Sequence, residues 1–345
     1  MSSKFNINNH LVTKETKISE VIKVLQENDT KITIVISEDR KLLGSITDGD
    51  IRRGLLEGFN IDDNCELIMN NEPSHALKDD QITINRILKE KKVSPIIVDK
   101  YKKVLTLYSY GTSIREISKP NKIVIMAGGK GERLMPLTED TPKPLLTIKD
   151  KPIIEYIVEG FVKNGFHDIT LSVGYKSEKL VDYFNNSTFS KNITYITEST
   201  PLDTAGSLSL LSVEKIKDPI IVKNGDIITN VNYDELLNFH NQHNKSITVC
   251  ASEYKVSIPF GSIKTINGVI SNITEKPTIK HHINAGIYVI NPDIIKNMKH
   301  NIPISMIDLL NKYIKTGNVI AYPLYESWID IGSPEDFKNA QKNEI

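Results

Sequence analysis

The sequence predicts an α/β protein whose larger, C-terminal part has a mostly parallel mixed sheet and whose first third is a smaller, tandem α+β module. Two observations predict this class. From residue 122 to residue 245, short apolar runs alternate with segments of helical periodicity, which favours parallel strands joined by crossover helices. Residues 1–118 instead repeat the order helix, strand, strand, helix. A chain of 345 residues also exceeds what one hydrophobic core usually supports.

The repeated module begins with apolar residues at helical spacing from Ile18 to Leu25. Apolar runs at 32–36 and 42–46 then predict two strands, and TDGDIRRGLLEG predicts a capped helix. The second copy predicts a helix at 82–88 and strands at 95–98 and 104–108. We therefore expect the domains to be residues 1–60, 61–118 and 119–345, with a polar linker at 111–122.

The larger part begins with an apolar strand, expected at 122–127, that runs into a glycine-rich loop. Further strands are expected at 169–173, 193–197 and 219–223, and helices at 153–163, 177–184, 205–211 and 233–243. From residue 246 the pattern becomes strand-rich, with strands expected at 247–251, 261–266, 269–274 and 285–290. We expect these strands to form an antiparallel extension over the sheet edge, followed by a helix at 305–315.

Composition excludes several classes of protein. Lys plus Arg and Asp plus Glu both number 43, so net charge gives no general attraction to nucleic acid or to membrane phosphates. Cys65 and Cys250 form no CxxC or Cys/His cluster, which argues against a disulfide scaffold or structural zinc. The N-terminus has no signal-like apolar region, and no run of about 18 apolar residues follows. We expect a cytoplasmic protein.

The segment MAGGKGERLMPLT, continuing to TPKPLL, is the most informative part of the sequence. Gly128, Gly129 and Gly131 follow a strand, so the backbone can approach a ligand and direct N–H groups at phosphate oxygens. Arg133 and Lys143 add fixed positive charge nearby. The segment is not a P-loop and fits GxGxxG poorly. The alternative is a strand-to-helix turn that uses glycine for geometry alone.

This segment resembles the nucleotidyltransferases that make NDP-sugars, a family with a GT-A-like, Rossmann-like fold. Further landmarks of the family occur in order along residues 122–335: NGD ending at Asp226, FG ending at Gly261, EKP at 275–277, NAG at 284–286 and WIDIG at 328–332. The resemblance implies that a sugar-1-phosphate attacks the α-phosphorus of a nucleoside triphosphate and pyrophosphate leaves. Because the attacking phosphate is already an anion, the reaction needs charge neutralisation and in-line positioning rather than an acid–base residue.

The resemblance also assigns roles to individual residues. Asp226 and Asp330 would hold Mg²⁺, Arg133 would face the triphosphate, and Lys143 would lie at the α-phosphate and leaving group. The nucleotide-binding segment would comprise Ala127, Gly128, Gly129, Lys130 and Gly131. The sugar-phosphate would be bound by Gly261, Glu275, Lys276 and Asn284, with Lys276 on its phosphate. Taken singly, Asp226, Lys276 and Asp330 also fit ordinary turn, surface and loop positions.

The segment TESTPLDTAGSL resembles the family's PLGTAG segment, where backbone groups contact the nucleobase, and it includes Gly206. Asp203 replaces the usual glycine. A carboxylate accepts two N–H groups from the N1 and N2 edge of guanine, so guanine is a plausible base. Asp203 is equally suited to cap the following helix.

In the first copy of the repeat, LGSITDGDI resembles the end of a CBS motif, with Thr47 and Asp50 at positions that usually hold an adenine nucleotide. The second copy, LTLYSYGTSI, lacks the acid, so at most one nucleotide site is expected in the pair. CBS pairs often dimerise and bind nothing, which is the alternative. We expect the pair to sense an adenine nucleotide or another effector and to help assemble a homo-oligomer.

A CBS pair ahead of this transferase resembles the bacterial glucosamine-1-phosphate guanylyltransferases that feed legionaminic acid synthesis. The expected substrates are therefore GTP and glucosamine-1-phosphate. Alternatives within the class are mannose- or heptose-1-phosphate guanylylation and uridylylation of an amino sugar. A non-catalytic nucleotide sensor is the alternative of another class, and it predicts loss of a metal carboxylate or a loop cation.

Overall fold

The computed structural model describes residues 7–28, 30–88, 93–108 and 118–342. It divides the chain into two compact units, Met1–Arg115 and Glu116–Ile345. Most of the predicted linker, residues 111–117, and part of the LTLYSYGTSI segment lie outside the described residues.

The first unit contains two copies of one small fold. Its elements are β1 (Leu11–Thr13), α1 (Ile18–Glu27), β2 (Ile32–Ile36), β3 (Leu42–Thr47), α2 (Asp48–Leu56), β4 (His75–Leu77), α3 (Gln81–Arg86), β5 (Ile96–Val98) and β6 (Val104–Leu107). In each copy the first strand pairs parallel with the second, and the second pairs antiparallel with the third. Ile34 of the first sheet shares a buried core with Ile96 and Val104 of the second. The order helix, strand, strand is therefore present in both copies; residues 109–117, where the last helix of the second copy would begin, lie outside the described residues.

The second unit is built on a seven-stranded sheet. Its elements are β7 (Ile123–Ala127), β8 (Thr147–Ile148), β9 (Lys151–Pro152), α4 (Ile153–Lys163), β10 (Ile169–Val173), α5 (Ser177–Asn185), β11 (Ile193–Thr197), α6 (Asp203–Gly206), β12 (Ile220–Asn224), β13 (Ile227–Thr229), α7 (Tyr233–His243), β14 (Ile247–Ser257), β15 (Ser262–Ile266), β16 (Val269–Thr274), β17 (Thr278–Ile290), α8 (Pro292–Lys296), α9 (Met306–Ile314), β18 (Val319–Leu324), β19 (Trp328–Asp330) and α10 (Pro334–Lys342). The strand order is β11-β10-β7-β12-β17-β14-β18.

The parallel strands form as the sequence predicts because most of their side chains are apolar and buried. Strands β11, β10, β7 and β12 run parallel, and all five residues of β10 are buried. Helix α4 buries Ile153, Ile157 and Phe161 against one face of the sheet. A separate cluster around Val124 and Val222 fills the other face. Both faces are therefore covered, as a parallel sheet requires.

The strand-rich end differs from the prediction in two respects. Strand β17 does not lie over the sheet edge: it is inside the sheet, antiparallel to both β12 and β14. Of the four predicted strands, those at 261–266 and 269–274 form the separate two-stranded sheet β15–β16. The helix expected at 205–211 is also shorter, because α6 ends at Gly206 and continues as a 3₁₀ turn from Ser207 to Leu210. Among the described residues, no helix is long and apolar enough to cross a bilayer.

A lysine is buried in the core of the second unit. Lys223 in β12 is 2% exposed, and its ammonium donates a hydrogen bond to the Tyr233 hydroxyl over 3.1 Å. Its nitrogen also lies 5.5 Å from the ring centre of Phe161. Burial lowers the pKa of Lys223 from 10.5 to about 7, because the charged form loses its hydration. The sheet therefore contains a base that is partly neutral at physiological pH.

We predict that Lys223→Met stabilises the second unit by about 1–3 kcal/mol near pH 7.5, even though it leaves the Tyr233 hydroxyl without its partner. Between about pH 7 and 10.5 the unfolded chain binds a proton that folded Lys223 has lost. Wild-type stability should therefore rise with pH, and the advantage of the variant should shrink. Urea unfolding at pH 7.5 and 9.5 measures both effects. The exposed Lys217→Met is the control, and an equal difference at both pH values would contradict the prediction.

Candidate active site

Four of the predicted site residues, Arg133, Lys143, Asp226 and Asp330, lie together where two neighbouring parallel strands end. Strand β7 pairs with β12, so the glycine-rich loop after Ala127 and the NGD segment after Lys223 leave the same edge of the sheet. A methyl group on Gly225 would lie only 2.8 Å from the Met126 carbonyl oxygen. Glycine at this position therefore allows the two strand ends to approach closely. Such an edge is where open α/β sheets place their ligands.

An ion pair joins the two strand ends. The Lys143 ammonium lies 2.5 Å from Asp226 Oδ2, and the side chains are 11% and 23% exposed respectively. The stem of Lys143 packs under the glycine-rich loop, where a methyl group on Gly131 would lie 2.9 Å from Lys143 Cβ. Gly131 has a φ of 66°, in the left-handed region that favours glycine. The loop conformation and the position of the lysine are thus coupled.

A second carboxylate lies beside the first. Strand β19 pairs with β13 so that Asp330 is opposite Ile227, and the Ile331 N–H donates to the Asp226 carbonyl oxygen over 3.1 Å. Burial raises the pKa of Asp330, and the negative charge of Asp226 raises it further. Arg133 and Lys143 oppose that rise. Two carboxylates and two cations therefore share one small region.

The residues present fit a divalent cation. Asp330 Oδ1 is buried without a hydrogen-bond partner among the described residues. Buried oxygens of this kind are normally satisfied, so the atom is suited to accept a cation. In the described part of the chain, no cluster of three or more His, Cys, Asp or Glu side chains could hold a metal by itself. Mg²⁺ is commonly held by one or two carboxylates together with substrate phosphates, which matches the pair Asp226 and Asp330.

The glycine-rich loop is exposed at its tip. Gly129 and Lys130 are exposed, and a methyl group on Gly129 would contact nothing within 4 Å. Arg133 is also exposed, and a methyl group on Gly332 would lie 3.4 Å from its guanidinium and 3.5 Å from Asp330 Oδ1. The loop backbone and one guanidinium are therefore free to approach a ligand beside the carboxylates. A triphosphate requires accessible N–H groups and positive charge of this kind.

Asp203 adopts a backbone conformation that glycine would adopt more easily. Its φ is 63°, and its exposed carboxylate accepts a hydrogen bond from the Thr204 N–H over 2.6 Å. The capping alternative is wrong, because Leu202 occupies the N-cap position of α6. Gly206 is buried, and a methyl group there would lie 2.8 Å from the Ile302 carbonyl oxygen. Its small size therefore serves packing in this structure.

Sequence reasoning missed Glu198, at the end of β11. Its Oε1 accepts a hydrogen bond from the Ser172 hydroxyl over 3.1 Å, and its Oε2 accepts one from the Leu202 N–H over 3.0 Å. A methyl group on Gly128 would lie 3.1 Å from Glu198 Oε1. One carboxylate thus links the end of β10, the glycine-rich loop and the segment before Asp203. Nothing in the local pattern distinguishes this glutamate from a surface acid.

The predicted sugar-phosphate residues lie in two places: Gly261, Glu275 and Lys276 flank the β15–β16 hairpin, and Asn284 lies in β17. A methyl group on Gly261 would lie 3.1 Å from Glu275 Oε2, so these two residues are neighbours. Lys276 is exposed and has a φ of 44°, an uncommon conformation for lysine. Asn284 uses its amide internally: it donates to the Tyr288 hydroxyl over 2.9 Å and accepts from the Gly286 N–H over 3.0 Å. Their roles remain predictions.

In the first unit, Thr47 and Asp50 are bonded to each other. Asp50 Oδ2 accepts hydrogen bonds from the Thr47 backbone over 2.9 Å and from its hydroxyl over 2.8 Å. The other oxygen of Asp50 forms an ion pair with Arg53. The pair caps α2 as a capping box. A nucleotide at this position would have to compete with these contacts, and the nucleotide site remains a prediction.

Two parts of the chain match known protein families. Residues 122–345 match the sequence profile of the family described as nucleotidyl transferase, and residues 6–57 match that of the CBS domain. Mannose-1-phosphate guanyltransferase 2 of Candida glabrata is 32% identical over 225 residues, which are 63% of this chain and 62% of that protein. The bifunctional protein GlmU of Methanococcus maripaludis is 34% identical over 230 residues, 64% of this chain and 53% of that protein.

A solved structure gives a similar result. The crystal structure of HddC from Yersinia pseudotuberculosis complexed with GMP-PN has a TM-score of 0.53 and 27% sequence identity. The alignment covers 64% of this chain and 98% of that one. The chain spans less than two thirds of the length of the two curated relatives, 62% and 53%.

We predict that Gly131→Ala destabilises the second unit by about 1–3 kcal/mol, because alanine is strained at a φ of 66° and its methyl group would displace the stem of Lys143. Gly129→Ala is the matched control and should change the free energy of unfolding by less than about 0.5 kcal/mol. Urea denaturation of the two variants provides the comparison. Equal stabilities would show that the loop does not depend on glycine at position 131.

Proposed function

Because the chain belongs to the nucleotidyl transferase family, we propose that it joins the nucleotidyl group of a nucleoside triphosphate to a sugar-1-phosphate and releases pyrophosphate. The observation that carries the proposal is the cluster at the ends of β7 and β12. There the Lys143–Asp226 ion pair, Asp330 and Arg133 surround the open side of a glycine-rich loop. This arrangement of charges suits phosphate groups better than any neutral ligand.

The residues of the site supply positioning and charge. The exposed backbone of the loop presents N–H groups to phosphate oxygens, and Arg133 adds a guanidinium with a forked donor geometry. Lys143 enters the site already oriented, because Asp226 holds its ammonium and Gly131 leaves room for its stem. A preoriented cation stabilises charge that develops on the transferred phosphorus and on the leaving pyrophosphate. The attacking sugar phosphate needs no base, since it is already ionised.

We propose that Asp226 and Asp330 hold Mg²⁺ together with the phosphates of the substrate. When bound, the ion would neutralise phosphate charge and help to align the reacting groups. The orphaned Asp330 Oδ1 and the raised pKa of Asp330 both support the proposal, since a nearby cation removes the repulsion between the two carboxylates. We expect the same cation requirement for every triphosphate substrate.

Guanine is the base we propose. The exposed carboxylate of Asp203 has one oxygen bonded to its neighbour's N–H, and a carboxylate can accept the N1 and N2 protons of guanine. Two similarities support the choice: relatives of this chain are mannose-1-phosphate guanyltransferases, and the HddC structure contains GMP-PN. The strained backbone of Asp203 also points to a function, because glycine would remove the strain.

Glucosamine-1-phosphate is the sugar substrate we propose, from the resemblance of the domain order to guanylyltransferases of legionaminic acid synthesis. The product would be GDP-glucosamine, formed in the cytoplasm. A second candidate is mannose-1-phosphate, which the names of several relatives favour. The hypothesis of a non-catalytic sensor is disfavoured, because Asp226, Asp330, Arg133 and Lys143 are all present and are grouped in one region. We propose that the CBS region is regulatory.

We predict pyrophosphate release with GTP and glucosamine-1-phosphate in Mg²⁺ buffer, and its loss by roughly 10²-fold or more in Asp226→Asn. Pyrophosphate release should be measured for each pair of a common nucleoside triphosphate and a hexose- or hexosamine-1-phosphate. Release with mannose-1-phosphate alone would favour the second candidate. No release from any pair, by a protein with a cooperative unfolding transition, would contradict the proposed activity.

We predict that Asp203→Gly lowers the preference for GTP over other triphosphates by about 10- to 100-fold, because two N–H groups of guanine lose a charged acceptor. Stability should change by less than about 1 kcal/mol, since release of backbone strain is offset by the greater chain entropy of glycine. Asp203→Asn is the matched control: it tolerates the same backbone but lacks the charge. An unchanged ratio of kcat/KM values in both variants would exclude Asp203 as the reader of the base.

A further inference from the structure

The backbone of Asp203 depends on its neighbours for support. Its φ of 63° is uncommon for a residue other than glycine. Backbone conformations of this kind persist only where the surrounding contacts enforce them. Because Asp203 is exposed, packing does not hold its side chain. The contacts of the adjoining residues must therefore fix its position.

Hydrogen bonds hold the residues on both sides of Asp203. Before it, the Leu202 N–H donates to Glu198 Oε2 over 3.0 Å, and the Leu202 carbonyl oxygen accepts from the Ile304 N–H over 3.2 Å. After it, the Ala205 N–H donates to the Ile304 carbonyl oxygen over 3.0 Å. The backbone of Ile304 therefore binds the segment at two points, one on each side of the strained residue.

Thr204 connects Asp203 to helix α9. The Thr204 hydroxyl oxygen accepts a hydrogen bond from the Met306 N–H over 2.8 Å, and the Thr204 N–H donates to Asp203 Oδ1 over 2.6 Å. Met306 is the first residue of α9, where the N–H groups of a helix have no partner within the helix. One threonine thus satisfies the start of a helix and orients the carboxylate beside it.

Helix α9 gives this contact a rigid support. Met306 and Leu309 are buried in the cluster that also contains Val124 of β7 and Val222 of β12. These two strands end at the glycine-rich loop and at the NGD segment. Since a protein core is closely packed, α9 keeps a fixed position relative to both strands. The bond between Met306 and Thr204 transfers that fixed position to the exposed segment.

We infer that Thr204 is a positioning residue for recognition of the nucleobase, and that it acts by holding the carboxylate of Asp203. The inference rests on the proposed function, in which Asp203 reads guanine. The contribution of Thr204 is geometric, because a displacement of about 1 Å in a positioned group can lower a rate by about 10²-fold. The start of α9, 102 residues further along the chain, thereby belongs to the base site without touching the base.

The test measures base preference in variants of Thr204. The quantity compared is the ratio of kcat/KM for GTP to kcat/KM for the next best triphosphate, with one sugar-1-phosphate. Thr204→Val removes the acceptor of the Met306 N–H and leaves no cavity, because residue 204 is exposed. The ratio should fall by about 5- to 20-fold. Thr204→Ser retains the hydroxyl and should keep the ratio within about twofold of the wild type.

Ser209→Ala is the matched control. The Ser209 hydroxyl donates to the Gly206 carbonyl oxygen over 2.7 Å and accepts from the Asn301 N–H over 3.0 Å. It therefore joins the same two parts of the chain, but away from Asp203. Loss of this contact should lower the midpoint of urea unfolding about as much as Thr204→Val does, and should leave the ratio unchanged. A general loss of stability lowers both kcat/KM values together and does not alter their ratio.

A double-mutant cycle establishes whether Thr204 acts through Asp203. In the Asp203→Gly background, Thr204→Val should lower the ratio no further, because the carboxylate that it positions is absent. A fall of equal size in both backgrounds would overturn the inference, since Thr204 would then influence the base by another route.

The remaining outcomes separate the inference from the proposed function. If Asp203→Gly lowers the ratio and Thr204→Val does not, the inference is wrong and Asp203 remains the reader of the base. The inference is also wrong if Ser209→Ala lowers the ratio as much as Thr204→Val does. A wild type that shows no preference for GTP, or that releases no pyrophosphate, would overturn the role of Asp203 and the inference with it.

Discussion

The ion pair between Lys143 and Asp226 is the contact on which the geometry of the site depends. A lysine that is 11% exposed requires a partner, because an ammonium removed from water without one is costly. The partner is at the end of β12, whereas the lysine stem supports the glycine-rich loop after β7. The contact therefore fixes the distance between two strand ends that belong to different parts of the sequence. Only the absence of a side chain at Gly131 and Gly225 allows this approach.

The same region contains an electrostatic conflict that the folded protein does not resolve internally. Asp226 is paired, but Asp330 has a raised pKa and a buried oxygen that no described residue satisfies with a hydrogen bond. A fold that only maximised stability would replace such an acid or satisfy it. In the proposed reaction, a cation bound together with the substrate phosphates would supply the missing positive charge, and the exposed loop leaves space for both. Asp330 thus lowers the stability of the folded protein at the position proposed to bind a ligand.

The sequence predicted the elements that the local pattern of apolar residues and glycines determines. Apolar runs predicted β7, β10 and β11 within one residue, and the glycine-rich and NGD segments were placed at strand ends, where the structure has them. The three-residue strands β13 and β19 were not predicted, because they exist only through their pairing with each other. Glu198 was missed because its hydrogen bond with Ser172 joins it to a strand that is remote in sequence. Lys223 was read as the end of a strand, but its inward direction depends on the aromatic residues that surround it.

The position of β17 in the sheet has a consequence for biosynthesis. β17 lies between β12 and β14, and its pairing with β12 joins residues 220–223 to residues 287–290. During synthesis, β12 must therefore leave the ribosome with one edge unpaired until more than sixty further residues have emerged. The strands described for the first unit are complete by Leu107, so this unit can fold long before that moment. For this interval the nascent chain carries a finished domain followed by an open, apolar sheet edge, the state in which contact with a chaperone matters most.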